Sequence, residues 1–196
     1  MSRTIAVTFD YRCPFAYNGN AAVVRAIQEG ALADVDFRFV PFSLDQVHVE
    51  EGETPVWERD PDQRGSGVRA LLYGIALRER HPEEFLAGHL ALFAQRHDHG
   101  KRFEEQVLRD AVASVGLDPD VVAEEAASSE ALEILANEHT EAVTRWEVFG
   151  VPTYIEDDEA VFVRFMERGR VDDLEQVLSM LQRSRLNEFK RTRIPR

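Results

Sequence analysis

Apolar positions keep two different rhythms along this chain. The run Ile5-Ala6-Val7-Thr8-Phe9 is short and apolar, so residues 4–9 are expected as a buried strand. From Pro14 to Gln28 the apolar residues Ala21, Ala22, Val23, Ala26 and Ile27 follow a helical spacing that stops near Gly30. Val35 to Val40 alternates apolar with polar until Pro41 ends it, which is the signature of a second strand. A strand, a crossover helix and a strand at this spacing favour parallel pairing with a right-handed connection.

The rhythm then changes. Asp45 to Arg64 is rich in charge, proline and glycine, with Trp57 as its one large apolar anchor, and reads as a long surface connection. Between Gly67 and Arg145 there is no strand signal. Val68, Leu71, Leu72, Ile75 and Leu77 form one helical face that breaks at His81-Pro82. Phe85, Leu86, Leu90 and Phe93 form a second that ends near Gly100, and Phe103, Val107, Leu108 and Val112 a third that ends at Gly116. Asp118-Pro119 opens a short fourth helix, and residues 129–147 carry Leu132, Leu135, His139, Val143 and Trp146 at three- and four-residue spacing. Strands return at Thr153 to Ile155 and Ala160 to Phe165, joined by the acidic turn Glu156-Asp157-Asp158-Glu159 into a hairpin. A last amphipathic helix carries Val171, Leu174, Leu178 and Leu181, with Asp172 and Asp173 at its positive end. The expected architecture is α/β: residues 1–64 and 146–196 form one discontinuous domain, and residues 65–145 an all-helical insertion that caps it.

Composition narrows the function classes. A chain of 196 residues with 44% hydrophobic residues suits one domain with an insertion. Asp and Glu number 36 against 23 Lys and Arg, a net charge of −13, which speaks against a general nucleic-acid partner. The basic stretch Arg183 to Arg196 runs against that balance. No apolar run approaches the ~20 residues that span a bilayer, and Met1-Ser2-Arg3-Thr4 leads straight into the first strand without a signal peptide. Cys13 is the only cysteine, so an internal disulfide is ruled out and a cytoplasmic, reducing setting is expected.

That cysteine sits where the first strand hands over to the first helix, in Asp10-Tyr11-Arg12-Cys13-Pro14-Phe15-Ala16-Tyr17. Unpaired backbone N–H groups and the positive end of a helix favour an anion there, so the thiol pKa is expected to fall. Pro14 suits the first helical position, where its missing N–H has no partner to lose. The plainer reading is that a lone cysteine is a small buried hydrophobe. Asp10 either tunes the thiol or shapes the loop, and Tyr17, one turn on, either donates its hydroxyl to a thiolate or packs. His97-Asp98-His99 puts two imidazoles two apart without a third ligand at a recognised spacing, so no metal site is expected and a solvated turn is. His89 and His139 lie on helical faces of the insertion, either packed or turned toward the space above Cys13, and Trp57 and Trp146 read as anchors at the seam between the two parts.

Three segments together resemble the DsbA-like branch of the thioredoxin superfamily, which includes FrnE-type oxidoreductases, 2-hydroxychromene-2-carboxylate isomerases and kappa-class glutathione transferases. They are Phe9-Asp10 with Cys13-Pro14-Phe15-Ala16-Tyr17, then Phe39-Val40-Pro41-Phe42-Ser43-Leu44, then Gly150-Val151-Pro152-Thr153-Tyr154. The resemblance implies a thioredoxin-like fold with a helical insertion and a cis-proline at Pro152 facing the cysteine. It also implies a thiol-binding surface drawn from Asp10, Phe15, Ala16, Val151, Pro152 and Thr153, and a homodimer. The redox members carry a second cysteine where this chain has Ala16.

With that thiol missing, a mixed disulfide on Cys13 needs an outside thiol to resolve it. The leading expectation is a single-cysteine thiol–disulfide oxidoreductase with Cys13, Pro14 and Tyr17 at its centre. No cofactor is tightly bound; glutathione or another low-molecular-weight thiol serves as co-substrate, with a disulfide or an electrophile as the other small-molecule partner. A glutathione-dependent isomerase or transferase, and a catalytically silent binding protein on the same fold, are the alternatives.

Overall fold

Strand β1 (Arg3–Phe9) is the middle of the structure because both its faces need covering: Ile5, Val7 and Phe9 on one side and Thr8 on the other are all fully buried. The computed structural model describes residues 3–186, so Met1, Ser2 and residues 187–196 of the basic tail lie outside the described residues. Helix α1 (Pro14–Glu29) begins at a proline in its first turn and ends at Gly30, whose φ of 66° closes the last turn in the left-handed region. Strand β2 (Val35–Pro41) then pairs parallel to β1, from Arg3 opposite Val35 to Phe9 opposite Pro41. Pro41 stays inside the strand, where the sequence pattern expected it to end one. β2 is an edge of the sheet, so a residue that cannot donate costs it no partner.

Beyond the insertion, β3 (Thr153–Glu156) and β4 (Glu159–Phe162) form the expected hairpin, with Thr153 opposite Phe162, and β3 pairs antiparallel to β1. The sheet order is β2-β1-β3-β4. β4 ends at Phe162, three residues short of the expected limit. Phe165 turns inward instead, buried against Tyr154 with ring centroids 5.8 Å apart. Helix α8 (Val171–Leu181) packs on α1 and on the hairpin.

The insertion is helical throughout, as its spacing predicts. The connection entering it contains a short helix that the apolar pattern does not announce, α2 (Leu44–Val47), whose first turn is capped by the Ser43 hydroxyl accepting from the Gln46 N–H at 3.2 Å. There follow α3 (Ser66–Arg80), α4 (Phe85–His97), α5 (Glu105–Ala113), α6 (Pro119–Ala126) and α7 (Ser129–Trp146). Phe103 lies ahead of α5 rather than within it, yet it is buried. α3 and α7 rest on β2, while α4 touches α1. Trp57 is half-buried, 5.5 Å from the ring of His139, and Trp146 donates its indole N–H to the Asp157 carbonyl at 2.9 Å.

Candidate functional site

Cys13 is the residue on which the chain turns from β1 into α1. Its backbone is extended (φ −90°, ψ 117°), its N–H donates to the Asp10 carbonyl at 3.0 Å, and its carbonyl accepts the Tyr17 N–H at 3.1 Å. The side chain is partly buried at the start of the helix, and the amides of Ala16 and Phe15 point to the sulfur. Across from it the Val151–Pro152 peptide is cis, and the Cys13 Sγ–H donates to the Val151 carbonyl at 3.4 Å. The sulfur and the proline loop, 138 residues apart in the chain, are thus neighbours.

The proline loop is held from behind. The Thr153 N–H donates to the Thr8 hydroxyl at 2.8 Å, and the Thr153 hydroxyl donates to the Gly150 carbonyl at 2.7 Å, both buried. α1 comes close to this loop because residue 19 is glycine: a Cβ there would stand 2.7 Å from the Tyr154 hydroxyl oxygen and 3.0 Å from Pro152 Cγ. Ala16 is fully buried, and its carbonyl accepts from the Asn20 side chain at 2.9 Å. The position that would carry a second sulfur is therefore filled by a methyl group packed into the core.

The electrostatics correct one expectation. Burial pushes the Cys13 thiol above its ordinary value. The amides of Ala16 and Phe15 pull the other way, as does the Arg164 guanidinium, while the buried Asp10 charge adds to the rise. The helix start does favour the thiolate, but desolvation of a sulfur packed beside the Val151 carbonyl outweighs it. That carbonyl also stabilises the protonated form by accepting its hydrogen, and it faces the anion with a negative dipole end.

Two further candidates have other work. The Asp10 carboxylate is fully buried and accepts the Arg12 N–H at 2.8 Å and the Leu44 N–H at 2.9 Å, so it shapes the loop and ties it to α2. Burial raises its pKa against the Arg12 charge and those two amides. Tyr17, considered as a donor to a thiolate, gives its single hydroxyl proton to Asp98 at 2.9 Å. Its ring stacks on Phe93, 5.0 Å between centroids and 3° from parallel, and the Arg168 guanidinium lies 3.7 Å from the centre of the ring. Burial and the Asp98 bond push the Tyr17 phenol up to about 12.

Asp98 and His99 are exposed in the turn that ends α4, as the composition suggests, yet His97 and Asp98 also reach the start of α1. The His97 Nε2–H donates to the Tyr11 carbonyl at 2.9 Å, and Asp98 binds Tyr17 and Arg168. No group of three or more metal-ligating side chains occurs among the described residues. His89 and His139 are packed rather than turned to the sulfur. His89 Nδ1 accepts from the Tyr11 hydroxyl at 2.8 Å with its Nε2 3.2 Å from Asn20 Oδ1, and His139 Nδ1 accepts the Ser43 N–H at 3.1 Å.

Arg164 was not singled out by the sequence. It is exposed, its guanidinium carbon lies 5.6 Å from the centre of the Phe15 ring, and it is the one cation named above whose charge favours the Cys13 thiolate. No local signal marks it, since it lies beyond the end of β4 and meets the Cys13 loop only through the hairpin.

A family model described as the DSBA-like thioredoxin domain matches residues 4–179. No curated protein matches the chain. Among solved structures, DsbA from Pseudomonas aeruginosa is similar at 18% identity and a TM-score of 0.62, over 94% of this chain and 84% of that one. BdbD from Bacillus subtilis in its oxidised form is similar at 18% identity and a TM-score of 0.62, over 91% of this chain and 87% of that one. A thioredoxin-like oxidoreductase from Silicibacter pomeroyi DSS-3 is similar at 18% identity and a TM-score of 0.61, over 92% and 86%. At these identities the likeness establishes the shared fold: a thioredoxin-like α/β structure with a helical insertion.

Proposed function

The chain belongs to the DSBA-like thioredoxin domain family, and we propose that it is a single-cysteine thiol–disulfide oxidoreductase that works with an external low-molecular-weight thiol. The observation that carries this reading is the placement of the only sulfur at the start of α1, against the carbonyl of the cis Val151–Pro152 peptide, with Ala16 where a second thiol would be. Arrival of a substrate disulfide begins with loss of the Cys13 proton to solvent base. The thiolate attacks one sulfur of R–S–S–R, a Cys13–S–S–R bond forms, and RS⁻ leaves. A second thiolate R′S⁻ attacks the substrate sulfur of that mixed disulfide, R–S–S–R′ is released, and Cys13 is the leaving thiolate that takes back a proton. The amides of Phe15 and Ala16 stabilise the negative charge on Cys13 in both steps. With no internal partner, the second step depends on the outside thiol, for which glutathione in a reducing compartment is a suitable class.

The high thiol pKa has a direct kinetic consequence. Only a small fraction of Cys13 is ionised at neutral pH, although a thiolate of higher basicity is the stronger nucleophile. The test is exchange between oxidised glutathione and an excess of a second thiol, comparing wild type with Cys13→Ser. We expect the variant to fall to the uncatalysed rate, and unchanged turnover in it would overturn the mechanism. Iodoacetamide labelling of wild type should keep climbing with pH beyond the ~8.5 at which an ordinary cysteine levels off.

A further inference from the structure

Three cations surround the first turns of α1, and two of them are engaged. The Arg12 Nη1 holds Asp45 at 2.7 Å, and Arg168 holds Asp98 at 2.7 Å while covering the Tyr17 ring. Arg164 has no carboxylate partner among the described residues, in a protein whose net charge is −13. Its place is set by the hairpin. Thr153 pairs with Phe162, and the Val163 N–H then donates to the Pro152 carbonyl at 3.3 Å. Residue 164 follows directly on that contact with Pro152, and the neighbouring Val151 carbonyl receives the Cys13 thiol proton. The guanidinium lies 5.6 Å from the ring centre of Phe15, two residues past the sulfur.

An exposed guanidinium beside a reactive sulfur does two separate things. Its charge acts on the thiolate, and its planar fork of donors is open to a carboxylate from solvent. What singles out Arg164 is its place, at the Phe15 ring and one residue past the contact with the Pro152 carbonyl. We infer that Arg164 is the charge-selecting residue of the Cys13 site, receiving a carboxylate of an acidic disulfide or thiol as its sulfur is brought to the Cys13 Sγ. This rests on the proposed exchange chemistry and names its substrate class: small thiols and disulfides that carry a carboxylate within a few bonds of sulfur. Neutral compounds pass without discrimination, and cationic ones such as cystamine are disfavoured. The reaction itself is unchanged: Cys13 attacks one sulfur, and the other leaves as a thiolate.

The test reads stoichiometric modification of Cys13 in the full-length protein, so it does not depend on turnover. Three disulfide probes are compared: dithiobis(nitrobenzoate), which is anionic; dithiodipyridine, which is neutral; and cystamine, which is cationic. Wild type is set beside Arg164→Gln, Arg164→Glu and Arg164→Lys. In Arg164→Gln the anionic probe should slow by about threefold, the scale of one solvent-exposed charge pair, while the neutral probe stays within about twofold and cystamine speeds up. Arg164→Glu should exaggerate both changes, Arg164→Lys should restore most of the wild-type order, and molar salt should erase the differences. If the three probes shift together, or none shifts, Arg164 selects nothing and the inference falls. Charge discrimination without turnover of an external thiol removes the proposed oxidoreductase function and leaves Arg164 standing. Turnover without charge discrimination does the reverse, and a sulfur inert to all three probes overturns both.

Discussion

Tyr154 carries a phenolic hydroxyl into a fully buried place where the described residues offer it no hydrogen-bond partner. Its ring is wanted there, as it fills the space between α1, Pro152 and Phe165, while its oxygen is desolvated without compensation. Tyr154→Phe keeps the ring and removes the orphan, so urea unfolding should find the variant as stable as wild type or more so, by about 1 kcal/mol. A loss of more than that would reveal an unseen partner for the hydroxyl. Asp10 is the opposite case at the same scale. It is also fully buried, but each of its oxygens takes a backbone N–H, and that is why a charged group holds the loop below Cys13 together. Cys13 stands between the two, with some of the helix amides' help and too little solvent to realise it.

At the level of elements, α3 lies as near to the β1–α1 turn as it does because residue 74 has no side chain. A Cβ on Gly74 would come within 2.8 Å of Tyr11 Cε2, and Tyr11 is itself enclosed by His89 and Phe93 at centroid separations of 5.3 and 4.7 Å. Two effects oppose one another in Gly74→Ala. Alanine improves mid-helix propensity by about 1 kcal/mol, and overpacking a filled interior costs about 1–3 kcal/mol. The fully buried tyrosine ring cannot swing away, so the second should win. The variant is expected to lose about 1–2 kcal/mol of unfolding free energy, with far-UV helicity retained; a gain in stability would mean that α3 has room to move outward. The same element logic explains α4. Its last turn supplies His97 and Asp98 to the start of α1, so the insertion braces the Cys13 helix through polar contacts as well as through Phe93.

The molecule as a whole buries two histidines in neutral form. Burial lowers His89 to about 3 and His139 to about 4, against 6.5 for the free side chain. In the unfolded chain both take a proton near 6.5 and in the native state they do not. Their contribution is therefore complete above that pH and drains away as the pH falls toward 4 and then 3, each at up to about 1.4 kcal/mol per pH unit. Asp10 works the other way. Its raised pKa means that the native state holds a proton the unfolded chain has released, so its share of stability grows on acidification and offsets part of the loss. His97, half-buried and also lowered by burial, acts with the other two, so three histidines against one carboxyl leave a net fall, and we expect urea unfolding at pH 5 to give a free energy roughly 2–4 kcal/mol below that at pH 7.5. A flat profile over that interval would mean that these imidazoles are accessible to protons in the native state.

Much of this was legible from residue order alone. The periods of apolar residues, the stops at Gly30, His81-Pro82 and Gly116, and the Pro-initiated helix after Cys13 all depend on neighbours a few positions apart, so residue order announces the handover at which the sulfur sits and every described element except α2. It also located Pro152, by resemblance, and the peptide before it is cis. Residue order does not reveal the company each group keeps: Asp98 for Tyr17, Asn20 and Tyr11 for His89, Arg164 for the site of Cys13, and the shell of atoms that turns a thiol at a helix start toward its protonated form. The difference is one of range. Backbone periodicity is a property of adjacent residues, whereas desolvation and pairing are set by whichever distant segments fill the same volume.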